Sequence, residues 1–206
     1  MKKQIITNKI ISRIYGHGRG WCFSQKDFAD LGQSETIGRI LRRITEQGTI
    51  RRIERGIFEY PKKSLIFEGY ADPDMESVVD ALARAHHWTL IPDENTSLNL
   101  LGLTTQVPAN WVYFTNGPNR DYEWIWGRLK LRKRSIKETS GISRRSAIVV
   151  HGLKGLGQQN ISDKTLLKLR EFMGPQDWIQ TVKETKRVTS WVHDIILLIA
   201  QGTRDE

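Results

Sequence analysis

Between residues 34 and 48, apolar and polar residues alternate with a helical period. The apolar positions of this stretch recur at steps of three and four residues, at Ile37, Ile40, Leu41 and Ile44. Such spacing places them in one stripe along a helix. Ser34 is a good N-cap, Glu35 suits the positive end of the helix dipole, and Gly48 provides a stop. The pattern therefore predicts an amphipathic helix over 34–48.

The segments on either side of this helix predict a helix-turn-helix followed by a hairpin. Residues 24–32 begin with a capping box and have the pattern of a shorter helix that ends in glycine. Residues 49–53 and 57–60 have the composition of two short strands, and Gly56 between them can take the positive φ of a tight turn. A hairpin directly after a helix-turn-helix is the element order of a winged helix.

Two further segments complete this first domain. An isoleucine stripe predicts a helix over 3–15, and the short run 21–23 is expected to pair with the hairpin. Pro61 ends the hairpin, so the first domain is predicted to span 1–62.

The remaining residues, 63–206, predict a mixed α/β domain with several C-terminal helices. Strand-forming runs occur at 88–91, 111–115 and 124–132. Amphipathic or capped helical segments are expected at 77–86, 96–102, 146–156, 162–172, 175–185 and 190–201. The predicted fold class is therefore α+β, with a winged helix-turn-helix before the mixed domain.

Charge separates the two parts of the chain. Of 206 residues, 32 are Lys or Arg and 23 are Asp or Glu, and residues 1–63 hold a balance of +8 within the total of +9. A basic excess confined to one module is typical of phosphate contact. The single cysteine, Cys22, forbids an intrachain disulfide and favours a reducing cytoplasm. The apolar run 195–200 is too short to span a bilayer, so no membrane partner is expected.

The predicted second helix of the motif and its hairpin supply the candidate DNA-binding residues. In a winged helix this second helix enters the major groove, and arginine can hold guanine with two parallel hydrogen bonds. Groove contact is assigned to Gln33, Ser34, Thr36, Arg39 and Arg43. Phosphate or minor-groove contact is assigned to Arg42, Arg51, Arg52 and Arg55. The alternative is that these arginines form an ordinary solvated face.

The second domain carries a motif that resembles a known family. The stretch 24–61, then Leu98-Asn-Leu-Leu-Gly-Leu-Thr-Thr-Gln-Val-Pro108 and Val112-Tyr-Phe-Thr-Asn-Gly117, resemble the AbiEi-type antitoxins of type IV toxin–antitoxin systems. The resemblance runs from the first helix to about Arg134, and 102–108 is its most specific part. The chain departs from it at Gly152 and Gly155, where the family has the pattern of an uninterrupted helix.

The resemblance implies a bacterial transcriptional autorepressor that binds repeats in its own promoter as double-stranded DNA. It further implies that the protein opposes a nucleotidyltransferase-type toxin without forming a stable complex with it. A winged-helix regulator whose second domain senses a ligand or dimerises is the alternative. The oligomeric state stays open.

A second basic stretch lies near the middle of the chain. If 128–134 is a strand, Leu129 and Leu131 face inward while the opposite face is cationic, with Arg128, Lys130, Arg132 and Arg134. This face could contact DNA beside the operator, an RNA substrate of the toxin, or solvent alone. Trp124 and Trp126 could add a small surface platform, and the polar residues 104–106 fix a turn or contact a partner.

Catalysis is not expected. The adjacent His86 and His87 lack metal-ligand spacing, and the chain has neither a dinucleotide fingerprint nor a phosphate-binding Gly-Lys-Ser/Thr loop. Asp93 and Glu94 with Lys130 only weakly suggest a metal-dependent nuclease. We therefore predict no enzyme activity, no cofactor and no metal site.

Overall fold

The computed structural model describes residues 2–106, 108–134 and 141–202, with side chains from residue 4 onward. The chain divides into two compact units, one within residues 1–88 and the other within 89–206. Helices and strands are mixed in both, which confirms the predicted α+β class. In the described part of the chain, no helix has both the length and the apolar character needed to cross a membrane.

The first unit follows the predicted element order. Its elements are α1 Lys2–His17, β1 Cys22–Ser24, a 3-10 helix Gln25–Leu31, α2 Ser34–Glu46, β2 Arg51–Glu54, β3 Ile57–Glu59 and α3 Met75–His86. The three strands form an antiparallel sheet in the order β1-β3-β2. The expectation that 21–23 pairs with the hairpin is thereby confirmed, since Cys22 lies opposite Glu59 and Ser24 opposite Ile57.

The apolar stripes predicted for the two longer helices form the core of this unit. Buried residues from α1, the 3-10 helix and α2 pack together as one cluster that includes Ile10, Ile14, Phe28, Ile37, Ile40, Leu41 and Ile44. The 3-10 helix begins with the predicted capping box of Ser24 and Asp27. Gly56 has a φ of +82°, as the tight turn between β2 and β3 requires.

The N-cap predicted for α2 is wrong by one residue. Gln33 occupies the cap position, with extended backbone angles and no side-chain hydrogen bond to the helix. Ser34 is the first helical residue, and its hydroxyl and carbonyl oxygens both accept hydrogen bonds from the Gln25 side-chain amide. A partner outside α2 therefore occupies the serine that would otherwise cap it.

Helix α3 belongs to the first unit, whereas the sequence placed it after a boundary at residue 62. The Ser77 hydroxyl accepts a hydrogen bond from the Cys22 backbone N–H at 2.9 Å and donates one to the Gly20 carbonyl at 2.9 Å. Arg84 forms an ion pair with Asp27 at 2.7 Å. These polar contacts connect α3 to β1 and the 3-10 helix, so the observed division falls after Trp88.

The second unit combines a four-stranded sheet with helices. Its elements are β4 Leu90–Pro92, α4 Glu94–Leu100, β5 Trp111–Thr115, β6 Arg120–Trp124, β7 Gly127–Lys133, α5 Arg144–Leu156, a 3-10 helix Gln158–Asn160, α6 Asp163–Arg170, α7 Pro175–Glu184 and α8 Ser190–Gly202. The strand order is β4-β5-β7-β6. The four C-terminal helices lie within two residues of their predicted bounds.

The single strand predicted over 124–132 is wrong. The chain turns at Ile125 and Trp126, so that β6 and β7 form an antiparallel hairpin in which Trp124 lies opposite Gly127. Strand β7 also pairs in parallel with β5. The turn was missed because Trp-Ile-Trp has strong strand propensity and contains no turn-forming residue.

Helix α5 is continuous through Gly152 and Gly155, and these glycines allow it to pack closely on α4. A Cβ atom at Gly152 would lie 2.2 Å from Leu101 Cδ1, and one at Gly155 would lie 2.9 Å from Glu94 Cβ. The two glycines in this helix therefore have a packing reason, the close approach of α5 to α4.

Candidate nucleic-acid interface

The outer face of α2 carries two exposed arginines. Arg39 and Arg42 lie on the side of the helix opposite the buried isoleucine stripe. Arg39 approaches Glu35 at 3.6 Å, but both side chains are more than half exposed, so this surface pair contributes little stability. Arg42 forms no ion pair with any described carboxylate. Both guanidinium groups are therefore accessible to a ligand.

The other groove residues predicted on α2 lie closer to the body of the unit. Arg43 donates a hydrogen bond to the Thr7 hydroxyl of α1 at 3.1 Å, and Thr36 is half-buried. Gln33 and Ser34 are exposed at the start of the helix. The structure thus places these residues on one side of the unit, with Arg43 directed towards α1.

Gly38 has a structural neighbour that the sequence did not indicate. A Cβ atom at this position would lie 3.2 Å from Gln25 Oε1. The space beside Gly38 therefore holds the end of the Gln25 side chain, which connects the 3-10 helix to Ser34.

The hairpin presents two of its three predicted arginines to solvent. Arg52 and Arg55 are exposed. Arg52 donates only to the Glu54 backbone carbonyl, at 3.2 Å. Neither forms an ion pair with a described carboxylate. Arg55 lies in the turn itself, where Gly56 allows the chain to reverse.

Arg51 is half-buried and bound by partners within the unit. Its Nε lies 2.5 Å from a carboxylate oxygen of Glu59, and its terminal nitrogen donates to the Ala71 carbonyl. The Glu59 side chain is only 2% exposed. Burial raises the pKa of Glu59, while the hydrogen bond from Arg51 opposes that shift. Among the predicted phosphate contacts, Arg51 is thus the one whose guanidinium already has a buried partner.

The loop after α1 is held by contacts within the unit. His17 stacks on Trp21 with ring centroids 3.9 Å apart. Arg19 donates to the Pro61 carbonyl at 2.9 Å and lies over the Tyr60 ring at 4.7 Å. These contacts tie the end of α1 to the end of β3.

The second basic stretch is matched by acidic residues on the neighbouring strand. Leu129 and Leu131 are buried, as predicted for the inner face of β7. Arg128 pairs with Glu123 at 2.5 Å, and Arg132 pairs with Asp121. Of the other two predicted cations, Lys130 is half-buried and lies opposite Asp121, and Arg134 lies over the Phe114 ring.

An aromatic series lies along the β6–β7 hairpin. Trp124 and Trp126 stack with their centroids 4.6 Å apart and their planes at 5°, and Tyr122 continues the series. The proposed platform thus exists as a stack of rings at one edge of the sheet.

The polar residues 104–106 form hydrogen bonds to their own segment and its neighbour. The Gln106 N–H donates to the Thr104 hydroxyl, and the Gln106 carbonyl accepts a hydrogen bond from the Asn99 side chain.

The side chains that could ligate a metal do not cluster in the part of the chain that the structure describes. Within the described ranges, no three His, Cys, Asp or Glu side chains gather as metal ligands would. Burial raises the pKa of the Cys22 thiol to about 12, which leaves it in the unreactive thiol form.

Sequence reasoning missed two cations beside the predicted interface. Lys26 is exposed in the 3-10 helix, and Arg84 reaches Asp27 from α3. The position of Lys26 in the first turn after the capping Ser24 could have indicated its exposure. Nothing in the linear pattern indicated that the distant Arg84 would return to this region.

The chain is thus an α+β protein of two units. With α3 included, residues 1–88 hold 15 Lys or Arg and 11 Asp or Glu, and residues 89–206 hold 17 and 12, so the basic excess of residues 1–63 does not extend to the whole first unit. Residues 9–179 match the family of unknown function DUF6088, and the chain belongs to that family. A comparison with curated proteins found no match.

Proposed function

We propose that the first unit is a winged helix that binds double-stranded DNA. The observation that carries this proposal is the group of exposed arginines on α2 and the β2–β3 hairpin. No ion pair joins Arg42, Arg52 or Arg55 to a described carboxylate. Cations without an internal partner are available to neutralise phosphates and to release the counterions around DNA.

In this arrangement α2 enters the major groove by its N-terminal half. Arg39 reads a guanine edge, with Gln33 and Ser34 beside it at the start of the helix. Arg42, Arg52 and Arg55 bind phosphates and position the helix in the groove. Arg43 supports the helix through Thr7 in the free protein and is the second candidate for a base contact.

A binding titration tests this assignment with DNA from upstream of the gene and with random DNA of equal length. Arg39→Ala should weaken binding to the upstream DNA by about tenfold or more, and weaken binding to random DNA less. Arg52→Ala should weaken both alike and reduce the salt dependence. Arg187→Ala removes an exposed arginine of the second unit and serves as the charge-matched control. Equal affinity of the wild type for the two DNAs, unchanged in the Arg39 variant, would contradict the assignment.

We further propose that the protein is a cytoplasmic autorepressor and the antitoxin of a type IV toxin–antitoxin pair. The support is the resemblance of 98–108 and 112–117 to AbiEi-type antitoxins, together with a DNA-binding unit placed first. The partner of this activity is a nucleotidyltransferase-type toxin that the antitoxin opposes without a stable complex.

Co-expression with the adjacent gene tests the antitoxin role. The full chain should restore growth of cells that express the neighbouring protein, and an Arg39→Ala/Arg42→Ala variant should separate repression from growth rescue. Loss of repression with rescue retained would assign neutralisation to the second unit. A neighbouring gene that is harmless when expressed alone would overturn the antitoxin role and leave the DNA-binding proposal standing.

A ligand-responsive regulator is the second candidate. It is favoured by a cavity in the first unit, beside the start of α2 and the β2–β3 turn.

A further inference from the structure

A cavity of about 520 Å³ lies within the first unit, between several of its elements. Its walls come from the 3-10 helix and the first turn of α2, from the β2–β3 turn, and from the last turn of α3. Cavities that bind small organic molecules commonly have volumes of about 300–1,000 Å³. The size is therefore that of a site for a metabolite, larger than one ion needs.

The floor of the cavity is apolar. Ile37 of α2 and Ile57 of β3 are each 1% exposed, and Ala85 of α3 lies beside them. Ala29 of the 3-10 helix adds a methyl group at the exposed rim. A fully hydrated phosphate gains nothing from such a floor, whereas a ligand with a hydrocarbon or aromatic body removes its own apolar surface from water there.

The rim of the cavity is cationic. Lys26 and Arg55 both line it and are exposed, and the His86 imidazole lies at the same mouth, stacked on Trp88 at 4.2 Å. No lining residue is an aspartate or a glutamate. An apolar floor below positive side chains is complementary to a molecule that has an apolar body and one anionic group.

The same walls belong to the proposed DNA-binding surface. Ser34 begins α2, and Arg55 is a proposed phosphate contact, so both would serve DNA and a ligand of the cavity. A guanidinium that binds a ligand anion is withdrawn from the DNA backbone. Two ligands that compete for one group must weaken each other's binding by the same factor.

We propose that this cavity binds a small amphipathic organic anion and that its occupation weakens DNA binding. The second half of this statement rests on the proposed DNA-binding function. The first half concerns the cavity alone and is tested without DNA.

The probe for the first half is 8-anilinonaphthalene-1-sulfonate, which has an aromatic body and one sulfonate. Its fluorescence is titrated with the full-length protein, and N-phenyl-1-naphthylamine, the same body without the charge, is titrated in parallel. The matched pair matters because Leu65 and Ile66 are almost fully exposed on a loop outside the cavity and offer apolar surface to either probe. We expect saturable binding of the sulfonate, at least tenfold tighter than that of the neutral probe.

Two variants locate the bound probe. Ala29→Phe fills the rim from an exposed position, and Ala85→Phe fills the floor; each should weaken sulfonate binding at least tenfold. Ala29→Phe keeps the test valid if the buried substitution disturbs folding. Ala109→Phe, at an exposed position of the second unit, is the control and should bind like the wild type. Equal binding of the two probes, or sulfonate binding unchanged in Ala29→Phe, would overturn the cavity as an anion site.

The second half is tested by repeating the DNA titration with saturating probe. We expect upstream-DNA affinity to fall at least fivefold in the wild type and to stay constant in Ala29→Phe. Probe binding in the cavity without any change in DNA affinity would overturn the regulatory role. A protein that binds the sulfonate but no DNA would overturn the proposed function and its regulation, and would leave the cavity assignment confirmed.

Discussion

The two basic stretches of this protein have similar composition but different surroundings. On α2 and the β2–β3 hairpin, Arg42, Arg52 and Arg55 face solvent without an ion pair to a described carboxylate. On β7, Arg128 and Arg132 each face an acidic residue on β6. The first set is available for an external anion, while the second is largely neutralised within its own sheet.

The reason for the difference is geometric. Antiparallel pairing sets Glu123 opposite Arg128 and Asp121 opposite Lys130, so acidic and basic side chains alternate across one face of the hairpin. Arg42 lies on the outer face of a helix, and Arg52 lies opposite Phe58 of β3, so neither has an acidic residue opposite it on a paired strand. Local charge along a sequence therefore indicates a phosphate-binding surface only after the neighbouring element is known.

The largest effect on stability is expected at Arg51, the hairpin arginine that pairs with a buried carboxylate instead of facing solvent. Arg51→Met should lower the free energy of unfolding by about 3 kcal/mol, because it leaves the buried Glu59 carboxylate unpaired. Chemical denaturation at neutral pH measures the loss. A variant as stable as the wild type would show that Arg51 belongs with the exposed arginines after all.

Two controls define the cause of that loss. Replacing both partners, as Arg51→Met/Glu59→Leu, should recover most of the stability, because no buried charge remains. The deficit of Arg51→Met should also shrink as the pH falls towards 4.5, the ordinary glutamate value. The pKa of Glu59 is raised in the folded state, so its protonated form is favoured there. The penalty is absent below the unfolded-state pKa and grows as the pH rises from that value through the folded-state pKa.

The next effect compares equal losses of charge at the two stretches. Arg42→Ala/Arg52→Ala should reduce the slope of log affinity against log salt by about 2, since each lost phosphate contact changes it by about 0.9. Arg128→Ala/Arg132→Ala removes the same formal charge and should leave the slope unchanged. DNA titrations at several salt concentrations measure both variants. Equal slopes for the two would remove the distinction between the stretches.

A smaller effect is expected when the acidic partners on β6 are neutralised. Asp121→Asn/Glu123→Gln keeps the size of both side chains and releases Arg128 and Arg132. Affinity for random DNA should then rise a few-fold at low salt, because the β7 face becomes as uncompensated as α2. No rise, in a variant of unchanged stability, would mean that the position of this strand, and not its pairing, keeps it from DNA.

Sequence patterns predicted the elements whose periodicity is long and regular. The stripe of Ile37, Ile40, Leu41 and Ile44 determined α2, and the capping box determined the start of the helix before it. Leu129 and Leu131 were correctly placed on the inner face of β7. In each case the side chains that decide the structure lie within a few residues of one another.

The features that were missed depend on contacts between distant residues. Ser34 does not cap α2 because Gln25 binds it, and α3 belongs to the first unit because Ser77 and Arg84 return to β1 and the 3-10 helix. The ion pair of Arg51 depends on Glu59, which is brought beside it only when the hairpin forms. A sequence can propose such residues for binding, but only the folded chain shows which of them already have partners.

The smallest expected effect concerns the titration of one carboxylate on β6. The hydrogen bond from Arg132 holds the pKa of Asp121 below its ordinary value. A lowered pKa in the folded state means that the pair contributes above the ordinary aspartate pKa and is lost only as the pH falls through the folded value. The β7 cations should therefore stay neutralised through mildly acidic conditions.

Carbon NMR of the Asp121 carboxyl group measures its titration, and Arg132→Ala should return the midpoint towards 3.8. Arg128→Ala, which removes the partner of Glu123 instead, is the matched control. A midpoint that moves equally in both variants would assign the shift to the general field of the strand, and the pairwise neutralisation of β7 would no longer hold.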